Sequence, residues 1–297
     1  MLESADLERR FASLTRLYGA QGATKIRAAH VIIIGIGGVG SWAAEALARS
    51  GVRRLTLIDL DHIAESNINR QIHALGSTVG QSKVQAMRER VADINPDCQV
   101  ICIEEFVDSE NWPAVAKLDV SLDISVLDAC DHVKAKTAIA AWSLQNKANF
   151  ITVGAAGGKR HAHKVEIEDL ALATHDPLLA QVRYKLRKEH GASRQGKVGL
   201  NCVFSRESVA KPFESEISTP TDNNLNCHGY GSVVSVTATF GICAAGWLLD
   251  KIANVPCTKP PKTMVLGGFV HGTFAILSSS HPAAQIPKVA VTLTTEP

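Results

Sequence analysis

The sequence has no C-x-x-C pair, although it contains seven cysteines. Because a four-cysteine zinc site needs such closely spaced pairs, we expect no structural zinc. The cysteine count is odd and no two cysteines form an obvious pair, which predicts reduced thiols and a cytoplasmic location. The first residues also lack the apolar core of a secretory signal, which argues against export.

The sequence also has little excess charge of either sign. Its 31 Lys and Arg residues stand against 29 Asp and Glu residues, for a formal net charge of +2. A nucleic-acid partner would therefore have to meet a local basic patch, not a globally basic protein. Residues 182–197 form such a patch, with Glu189 as the single acid, and its basic members are Arg183, Lys185, Arg187, Lys188, Arg194 and Lys197. A solvated helix face and a phosphate-binding surface both remain open as interpretations.

Residues 231–249 contain no charged side chain, a length that could cross a membrane. Small and hydroxylated residues such as Ser235, Thr237 and Gly241 occur throughout this stretch. A helix that packs closely against a sheet has the same composition. We therefore predict a buried core helix, with a membrane helix as the alternative, and regard membrane attachment as the less favoured outcome.

A glycine-rich turn follows the first strongly apolar stretch. Four β-branched residues at positions 31–34 predict a buried strand, and Gly35, Gly37 and Gly40 match the G-x-G-x-x-G pattern. Glycine permits a tight turn and a close approach of the backbone to a ligand. The pattern predicts a phosphate-binding turn, although such turns can also serve packing alone.

The residues after this turn complete a nucleotide-binding unit. A helix is predicted over 41–49 and a second strand over 54–58, which ends at Asp59. The helix N-terminus favours an anion, and an acid at the end of the second strand can accept hydrogen bonds from a ribose diol. Strand, helix and acid in this order predict that the chain binds an adenine nucleotide.

Strand and helix patterns alternate along most of the chain. This order predicts an α/β fold, a doubly wound and mainly parallel sheet with helices on both faces. Ser82 is expected to cap the helix that follows it. Further helices are predicted over 2–20, 83–94 and 133–146, and further strands over 99–103, 124–128, 150–153 and 198–204.

We expect three parts in the chain. An N-terminal helical segment covers residues 1–30, and the nucleotide-binding domain covers 31–253. Within that domain, residues 205–229 are polar and long enough to form a mobile crossover loop. The C-terminal extension, 254–297, begins with a proline-rich linker, and its last twenty residues are predicted to be disordered.

Five ordered motifs resemble those of the ubiquitin-activating-enzyme-like superfamily, the ThiF/MoeB-type proteins that adenylate carboxylates with ATP. These motifs are residues 35–40, 59–61, 66–71, Lys83 and residues 128–131. The resemblance covers about residues 5–250. It implies a Rossmann-like adenylation domain that uses ATP and Mg²⁺.

Adenylation requires cations around the phosphates as their charge redistributes, and a carboxylate that holds magnesium. Arg70 can bind a phosphate through two parallel hydrogen bonds, and Lys83 can act as a point charge. Asp131 is expected to bind Mg²⁺, with Asp61 in a supporting role. The expected nucleotide contacts are Gly35, Gly37, Gly38, Gly40, Asp59, Asp61, Ser66, Asn67, Asn69, Arg70, Gln71 and Lys83, of which Asn67 and Gln71 supply neutral hydrogen bonds.

Within the superfamily, the chain is most similar to the bacterial tRNA threonylcarbamoyladenosine dehydratases. The segments that carry this similarity are 10–19, 69–75, 154–158, 176–178, 202–205 and 236–241. The resemblance implies that ATP activates the threonyl carboxylate of the modified nucleoside. A ureido nitrogen then closes a five-membered ring with loss of water, and the basic patch at 182–197 becomes a tRNA contact. The missing C-x-x-C pairs favour this branch over the carrier-protein enzymes.

The resemblance also implies partners and two further site residues. Arg10 would reach across a homodimer to the ATP of the other protomer, although an ordinary surface arginine is an equal alternative. Cys227 lies near the position of the thioester cysteine of related activating enzymes. It could form a transient acyl thioester, be a spectator, or relate to a sulfur-transfer partner. Cys130 is expected to be a small packing residue.

Three other functions fit parts of the pattern. An adenylyltransferase for the C-terminus of a ubiquitin-like sulfur-carrier protein would share every phosphate-binding residue. A nicotinamide-dependent oxidoreductase would share the glycine turn, but the polar and cationic residues at 67–71 and Lys83 suit a triphosphate better. A nucleotide-binding regulator without catalysis is disfavoured, because the phosphate-handling set is complete.

Overall fold

A computed structural model describes residues 5–117, 124–210 and 230–255. Within these ranges, seven strands form one sheet in the order β3-β2-β1-β4-β5-β7-β6, and only β6 runs antiparallel to its neighbour. The predicted doubly wound, mainly parallel sheet is therefore confirmed. The strands are β1 His30–Ile34, β2 Arg54–Ile58, β3 Gln99–Ile103, β4 Ile124–Asp128, β5 Asn149–Val153, β6 Val165–Asp169 and β7 Asn201–Ser205.

The six described α-helices alternate with these strands. They are α1 Leu7–Ala28, α2 Gly40–Arg49, α3 Lys83–Ile94, α4 Val133–Asn146, α5 Pro177–Glu189 and α6 Val234–Ala253. The helix predicted over 2–20 ends too early, because the observed helix extends beyond residue 20. Helix α1 bends at Gly19, where φ is 70°, and then continues to Ala28. A glycine with positive φ usually ends a helix, but here a second helical stretch follows directly.

Alternation along β1 divides the core between the two faces of the sheet. Val31 and Ile33 pack with α2, α3 and α6, whereas Ile32 and Ile34 pack with α4 and α5. All four side chains are buried. Because strand side chains point alternately to opposite faces, an uninterrupted β-branched run produces a strand buried on both sides.

Helix α6 is the core helix predicted over 231–249. It is long and apolar enough to cross a membrane by length and composition. One of its faces, however, is buried against α1, α2 and β5. A β-carbon at Gly241 would lie only 2.3 Å from the carbonyl oxygen of Val39, so glycine permits the close contact with α2. The outer side chain of Ile242 is half exposed.

The start of helix α3 differs from the prediction in how it is capped. Ser82 precedes α3 as predicted, but its side chain accepts no capping hydrogen bond, so that part of the prediction is wrong. The main chain at Lys83 is fixed instead by a hydrogen bond of 3.1 Å from its N–H to the carbonyl of Asp61.

The expected crossover loop is described only up to residue 210. Cys227 and the C-terminal extension beyond residue 255 lie outside the described residues.

Candidate active site

The glycine turn between β1 and α2 is closed on one side and open on the other. A β-carbon at Gly40 would lie 1.8 Å from the carbonyl oxygen of Gly35, and one at Gly35 would meet the main chain of Ala129 at 2.9 Å. At Gly37 the same atom would meet, among the residues that the structure describes, only Nε2 of Gln71, at 4.0 Å. The turn therefore leaves room above Gly37 at the N-terminus of α2, where the helix dipole favours an anion.

Asp59 links this turn to the end of β2. Its carboxylate accepts hydrogen bonds from the N–H groups of Ile36, at 2.6 Å, and Asp61, at 2.9 Å. Burial raises the pKa of Asp59, while Lys83 and the two amide donors act in the opposite direction. Each carboxylate oxygen keeps a lone pair, so Asp59 can still accept a ribose hydroxyl in its expected role.

The guanidinium of Arg70 is held beside the turn before any ligand arrives. Its Nη1 donates to the carbonyl of Ser66 at 2.6 Å and to Oδ1 of Asn69 at 2.9 Å. A β-carbon at Gly38 would meet the Arg70 side chain at 3.3 Å. Arg70 is only 9% exposed. The side chain is thus positioned to meet a phosphate with little further loss of conformational freedom.

The main chain of Arg70 is fixed as well. Its carbonyl accepts a hydrogen bond of 2.9 Å from Nε1 of Trp42 on α2 and lies 3.5 Å from the hydroxyl of Thr237 on α6. Asn69 donates from Nδ2 to the carbonyl of Ser232, just before α6. The loop that carries the candidate phosphate ligand therefore depends on helices from both halves of the chain.

Lys83, the first residue of α3, supplies the second cation. Its ammonium lies 2.6 Å from Oδ2 of Asp61 and 3.8 Å from Oδ1 of Asp59. The lysine side chain is 8% exposed, whereas that of Asp61 is 54% exposed. The structure thus places Asp61 with Lys83, where it balances the ammonium, and its supporting role at a magnesium site stays a prediction.

The two neutral residues of the motif at 66–71 differ in their surroundings. Oδ1 of Asn67 accepts a hydrogen bond of 3.1 Å from the N–H of Ala64 and shapes the loop. Oε1 of Gln71 is buried and has no hydrogen-bond partner among the residues that the structure describes. The amide nitrogen Nε2 of Gln71 is the atom that faces Gly37, so it could donate to a phosphate oxygen in that space.

A buried ion pair lies beneath the loop that carries Asp131. The carboxylate of Asp128 and the ammonium of Lys136 are 2.9 Å apart, and both side chains are fully buried. Asp128 also accepts bonds from the hydroxyl of Thr152, at 2.7 Å, and the thiol of Cys130, at 3.0 Å. Burial alone would lower the pKa of Lys136, but the negative partners, chiefly Asp128, raise it. Lys136 is therefore protonated at neutral pH.

This ion pair fixes the position of the candidate magnesium ligand. Lys136 also donates to the carbonyls of Asp128, at 3.3 Å, and Cys130, at 2.9 Å. Asp131, which is exposed, follows Cys130 directly, at the N-terminus of α4.

Burial, followed by the charge of Asp128, raises the pKa of Cys130 well above its usual range, so its thiol is unreactive. The expectation that Cys130 is a packing residue is incomplete, because its thiol donates to Asp128.

The exposed carboxylate at the end of β4 is that of Asp131. Within the described ranges, no group of three or more His, Cys, Asp or Glu residues could hold a metal ion. Mg²⁺ commonly binds through one or two carboxylates together with substrate phosphates and water. The donor set therefore fits a magnesium ion that arrives with the nucleotide.

Two other sets of predicted residues lie away from the glycine turn. Within its own chain, Arg10 donates to the carbonyls of Asp93, at 2.8 Å, and Ile94, at 2.7 Å, at the end of α3. Its reach to a partner's ATP stays a prediction. In the basic patch, Arg183 and Arg187 donate to carbonyls of neighbouring loops, while Lys188, Arg194 and Lys197 are exposed.

Sequence reasoning assigned no role to Lys136 or to Asp176. Asp176 caps α5 by accepting from the N–H of Leu179, at 3.0 Å, and also accepts from Ala155 after β5, at 2.9 Å. The pair Asp176-Pro177 is a recognisable helix start, because Asp is a common N-cap and Pro a common first residue. Lys136 has no such local signal, since its partners come from β4 and the following loop.

Comparison with known proteins identifies the relatives of this chain. Residues 9–287 match the ThiF family. A tRNA threonylcarbamoyladenosine dehydratase of Haemophilus influenzae is 43% identical over 248 residues, which cover 82% of this chain and 94% of that protein. The solved structure of the Escherichia coli tRNA N6-threonylcarbamoyladenosine dehydratase TcdA in complex with ATP is 38% identical, with a TM-score of 0.75. Its complex with AMP is 39% identical with the same TM-score, and both matches cover 86% of this chain and 98% of the solved one.

Proposed function

The chain belongs to the ThiF family, and from that premise we propose that it uses ATP to cyclise threonylcarbamoyladenosine in tRNA. The observation that carries the proposal is the pair of held cations, Arg70 and Lys83, beside a glycine turn with room for a phosphate. Relatives of nearly the same length carry the dehydratase name, and one of them is known with ATP and with AMP.

In the first step, the threonyl carboxylate attacks the α-phosphorus of ATP. The bond from that phosphorus to pyrophosphate breaks, and an acyl adenylate and pyrophosphate result. Arg70 binds the phosphate oxygens through its guanidinium, and Lys83 balances the charge that gathers on the leaving group. Gln71 donates from its amide nitrogen to a phosphate oxygen, and Asp59 accepts from the ribose.

In the second step, a ureido nitrogen of the same side chain attacks the activated carbonyl. The carbon–oxygen bond to AMP breaks, the nitrogen loses its proton to solvent, and one carboxylate oxygen leaves with AMP. Because nucleophile and carbonyl belong to one molecule, orientation lowers the barrier without an enzyme nucleophile. Cys227 is then dispensable, and full activity of Cys227→Ser would agree with this scheme.

Asp131 is the residue that would hold Mg²⁺. When bound with ATP, Mg²⁺ neutralises part of the triphosphate charge. The role of this chain is to keep Asp131 in place, through the contacts of Lys136 with the main chain at Asp128 and Cys130. Removal of divalent cations with a chelator should therefore stop pyrophosphate release.

The remaining partners belong to the same proposal. The tRNA approaches the basic patch at 182–197, where Lys188, Arg194 and Lys197 offer exposed charge for phosphates. A homodimer brings Arg10 of one protomer to the ATP of the other, and a sulfur-transfer protein is a further partner. A reaction that consumes tRNA and ATP belongs in the cytoplasm.

The direct test is release of AMP and pyrophosphate from ATP, with tRNA that carries threonylcarbamoyladenosine and with the same tRNA unmodified. Release with the modified tRNA alone is expected, together with loss of about one water in mass from the nucleoside. Release only with a ubiquitin-like carrier protein would identify the adenylyltransferase alternative. No turnover of ATP under any condition would contradict both.

A further inference from the structure

A cavity of about 490 Å³ lies on the α4–α5 face of the sheet, outside the candidate active site. Its walls include Trp112, Lys134, Ala138, Trp142, Gln145 and Lys185. The volume falls within the range of pockets that hold a small organic ligand. Nothing in the roles assigned to Arg70, Lys83 or Asp131 uses this cavity.

The cavity begins close to the active-site edge of the sheet. Lys134 is in the first turn of α4, three residues after Asp131, and Ala138, Trp142 and Gln145 follow along one face of the helix. At a rise of 1.5 Å per residue, the eleven steps from Lys134 to Gln145 span roughly 16 Å. A polymer that enters the active site can therefore continue along this groove.

The chemistry of the walls suits a nucleotide. Trp112 and Trp142 meet edge to face, with ring centres 5.5 Å apart and an angle of 87° between the planes. Trp112 is buried, and its indole N–H has no hydrogen-bond partner in the described part of the chain. Lys134 on α4 and Lys185 on α5 add positive charge, and Gln145 can donate and accept hydrogen bonds. Splayed bases of single-stranded RNA are recognised by such aromatic and polar groups.

The same wall continues onto the basic surface of α5. Tyr184, next to Lys185, is 62% exposed, and the ammonium of Lys188 lies 5.8 Å from its ring centre. The outer side of this helix thus carries one exposed aromatic side chain beside cationic ones. An exposed tyrosine among lysines offers a second stacking surface beside the cavity.

We propose that the α4–α5 cavity binds a nucleotide of the tRNA loop that neighbours the modified one. Its base is unstacked and lies against Trp142, and its phosphate lies near Lys134. This inference rests on the proposed function, because it takes RNA as the substrate. Withdrawal of the neighbouring base from the stack would leave the modified nucleoside free to enter the active site.

The proposal is tested by a substitution that fills the cavity with a larger side chain. Ala138→Phe places a ring in the groove, and Ala92→Phe, at an exposed position of α3 on the other side of the sheet, is the matched control. Binding is measured as fluorescence anisotropy of a labelled anticodon stem–loop RNA that carries the modified nucleoside. Loss of one base–aromatic stack predicts affinity at least about tenfold weaker for Ala138→Phe and no change for Ala92→Phe.

Two further measurements separate the possible failures. The thermal shift caused by ATP alone should be the same in all variants, which shows that the fold and the nucleotide site are intact. If Ala138→Phe fails this check, Lys134→Ala with Gln145→Ala replaces it, with about threefold to tenfold weaker RNA binding expected. RNA affinity equal to that of the wild type in an intact variant overturns the cavity proposal. Absence of ATP turnover in the wild type itself overturns the proposed function instead.

Discussion

Two cationic regions of this molecule hold their charges in opposite ways. At the glycine turn, Arg70 and Lys83 are almost fully buried, and each contacts at least two protein oxygens. On and after α5, Lys188, Arg194 and Lys197 are exposed to solvent. The first arrangement fixes the geometry of its two cations, whereas the second supplies charge that ions in solution screen. We expect the first region to respond to mutation as a unit and the second residue by residue.

The largest effect should follow from removal of one charge of the buried pair. In Asp128→Ala, the ammonium of Lys136 is left buried without its carboxylate, which should cost about 3–5 kcal/mol of unfolding free energy. Urea unfolding measures this cost. The double variant Asp128→Asn with Lys136→Met removes both charges and should be clearly more stable than the single one. A single variant within about 1 kcal/mol of the wild type would show that the pair is not stabilised as described.

A second test uses pH, since His73 is buried near Lys83 and Arg90. Burial, followed by the charges of Lys83 and Arg90, lowers the pKa of His73 to about 4. Between that value and the unfolded pKa of about 6.5, the unfolded chain binds a proton that the folded chain does not. Stability should therefore fall as the pH falls from about 6.5 to 4, by up to roughly 3 kcal/mol.

Unfolding of two variants at several pH values isolates this contribution. His73→Gln lacks the titrating group, so its stability should depend less on pH in that window. His62→Gln replaces an exposed histidine, keeps His73 and should retain the acid loss. Identical pH profiles for the wild type and His73→Gln would contradict the assignment.

Removal of the candidate catalytic cation Lys83 should cost less free energy than the changes above, but it should slow the reaction strongly. Lys83→Ala removes a cation near the phosphates and should cost about 1.5–3 kcal/mol of transition-state stabilisation, or roughly 10- to 150-fold in kcat/KM. Pyrophosphate release measures it. Lys188→Ala, which removes an exposed lysine, should keep kcat near that of the wild type. Equal kcat/KM in Lys83→Ala would remove Lys83 from the site.

The smallest effects should come from the exposed cations. Each of Lys188→Ala, Arg194→Ala and Lys197→Ala should weaken tRNA binding by only about 0.5 kcal/mol, and the three effects should add. The slope of log affinity on log salt should fall by nearly one for each RNA phosphate that the variant no longer neutralises. Arg88→Ala, an exposed arginine on the other side of the sheet, serves as the control. An unchanged salt slope in the triple variant would exclude these residues from the RNA surface.

Sequence patterns predicted an element correctly where the whole pattern lies within a few neighbouring residues. The turn at Gly35, strand β4 and helix α3 were predicted because their patterns are complete within a few residues. Strand β6, Val-Glu-Ile-Glu-Asp, was missed because its two glutamates obscure the apolar pattern. The strand predicted over 198–204 begins later, at Asn201, because Val198 and Gly199 instead bond the carboxylate of Asp169.

In the candidate site as well, local sequence motifs predicted the side chains but not the contacts that hold them. The motifs that predicted Arg70, Lys83 and Asp131 report which side chains are available, but they do not report what holds them. Lys136 meets its partners only because β4 and α4 pack together, and Trp42 reaches Arg70 from another helix. The structure therefore adds the supporting contacts to a set of candidate ligands that the sequence motifs had predicted.

The packing of α6 against α2 has a consequence for synthesis of the protein. Gly241 lies against the N-terminal end of α2, while Thr237 and Ser232 contact the loop that carries Arg70. Residues 35–71 leave the ribosome long before residues 232–241 do. The nascent chain thus exposes its glycine turn without the helix that supports it. We expect ATP to assist folding only after α6 has emerged and supports the loop that carries Arg70.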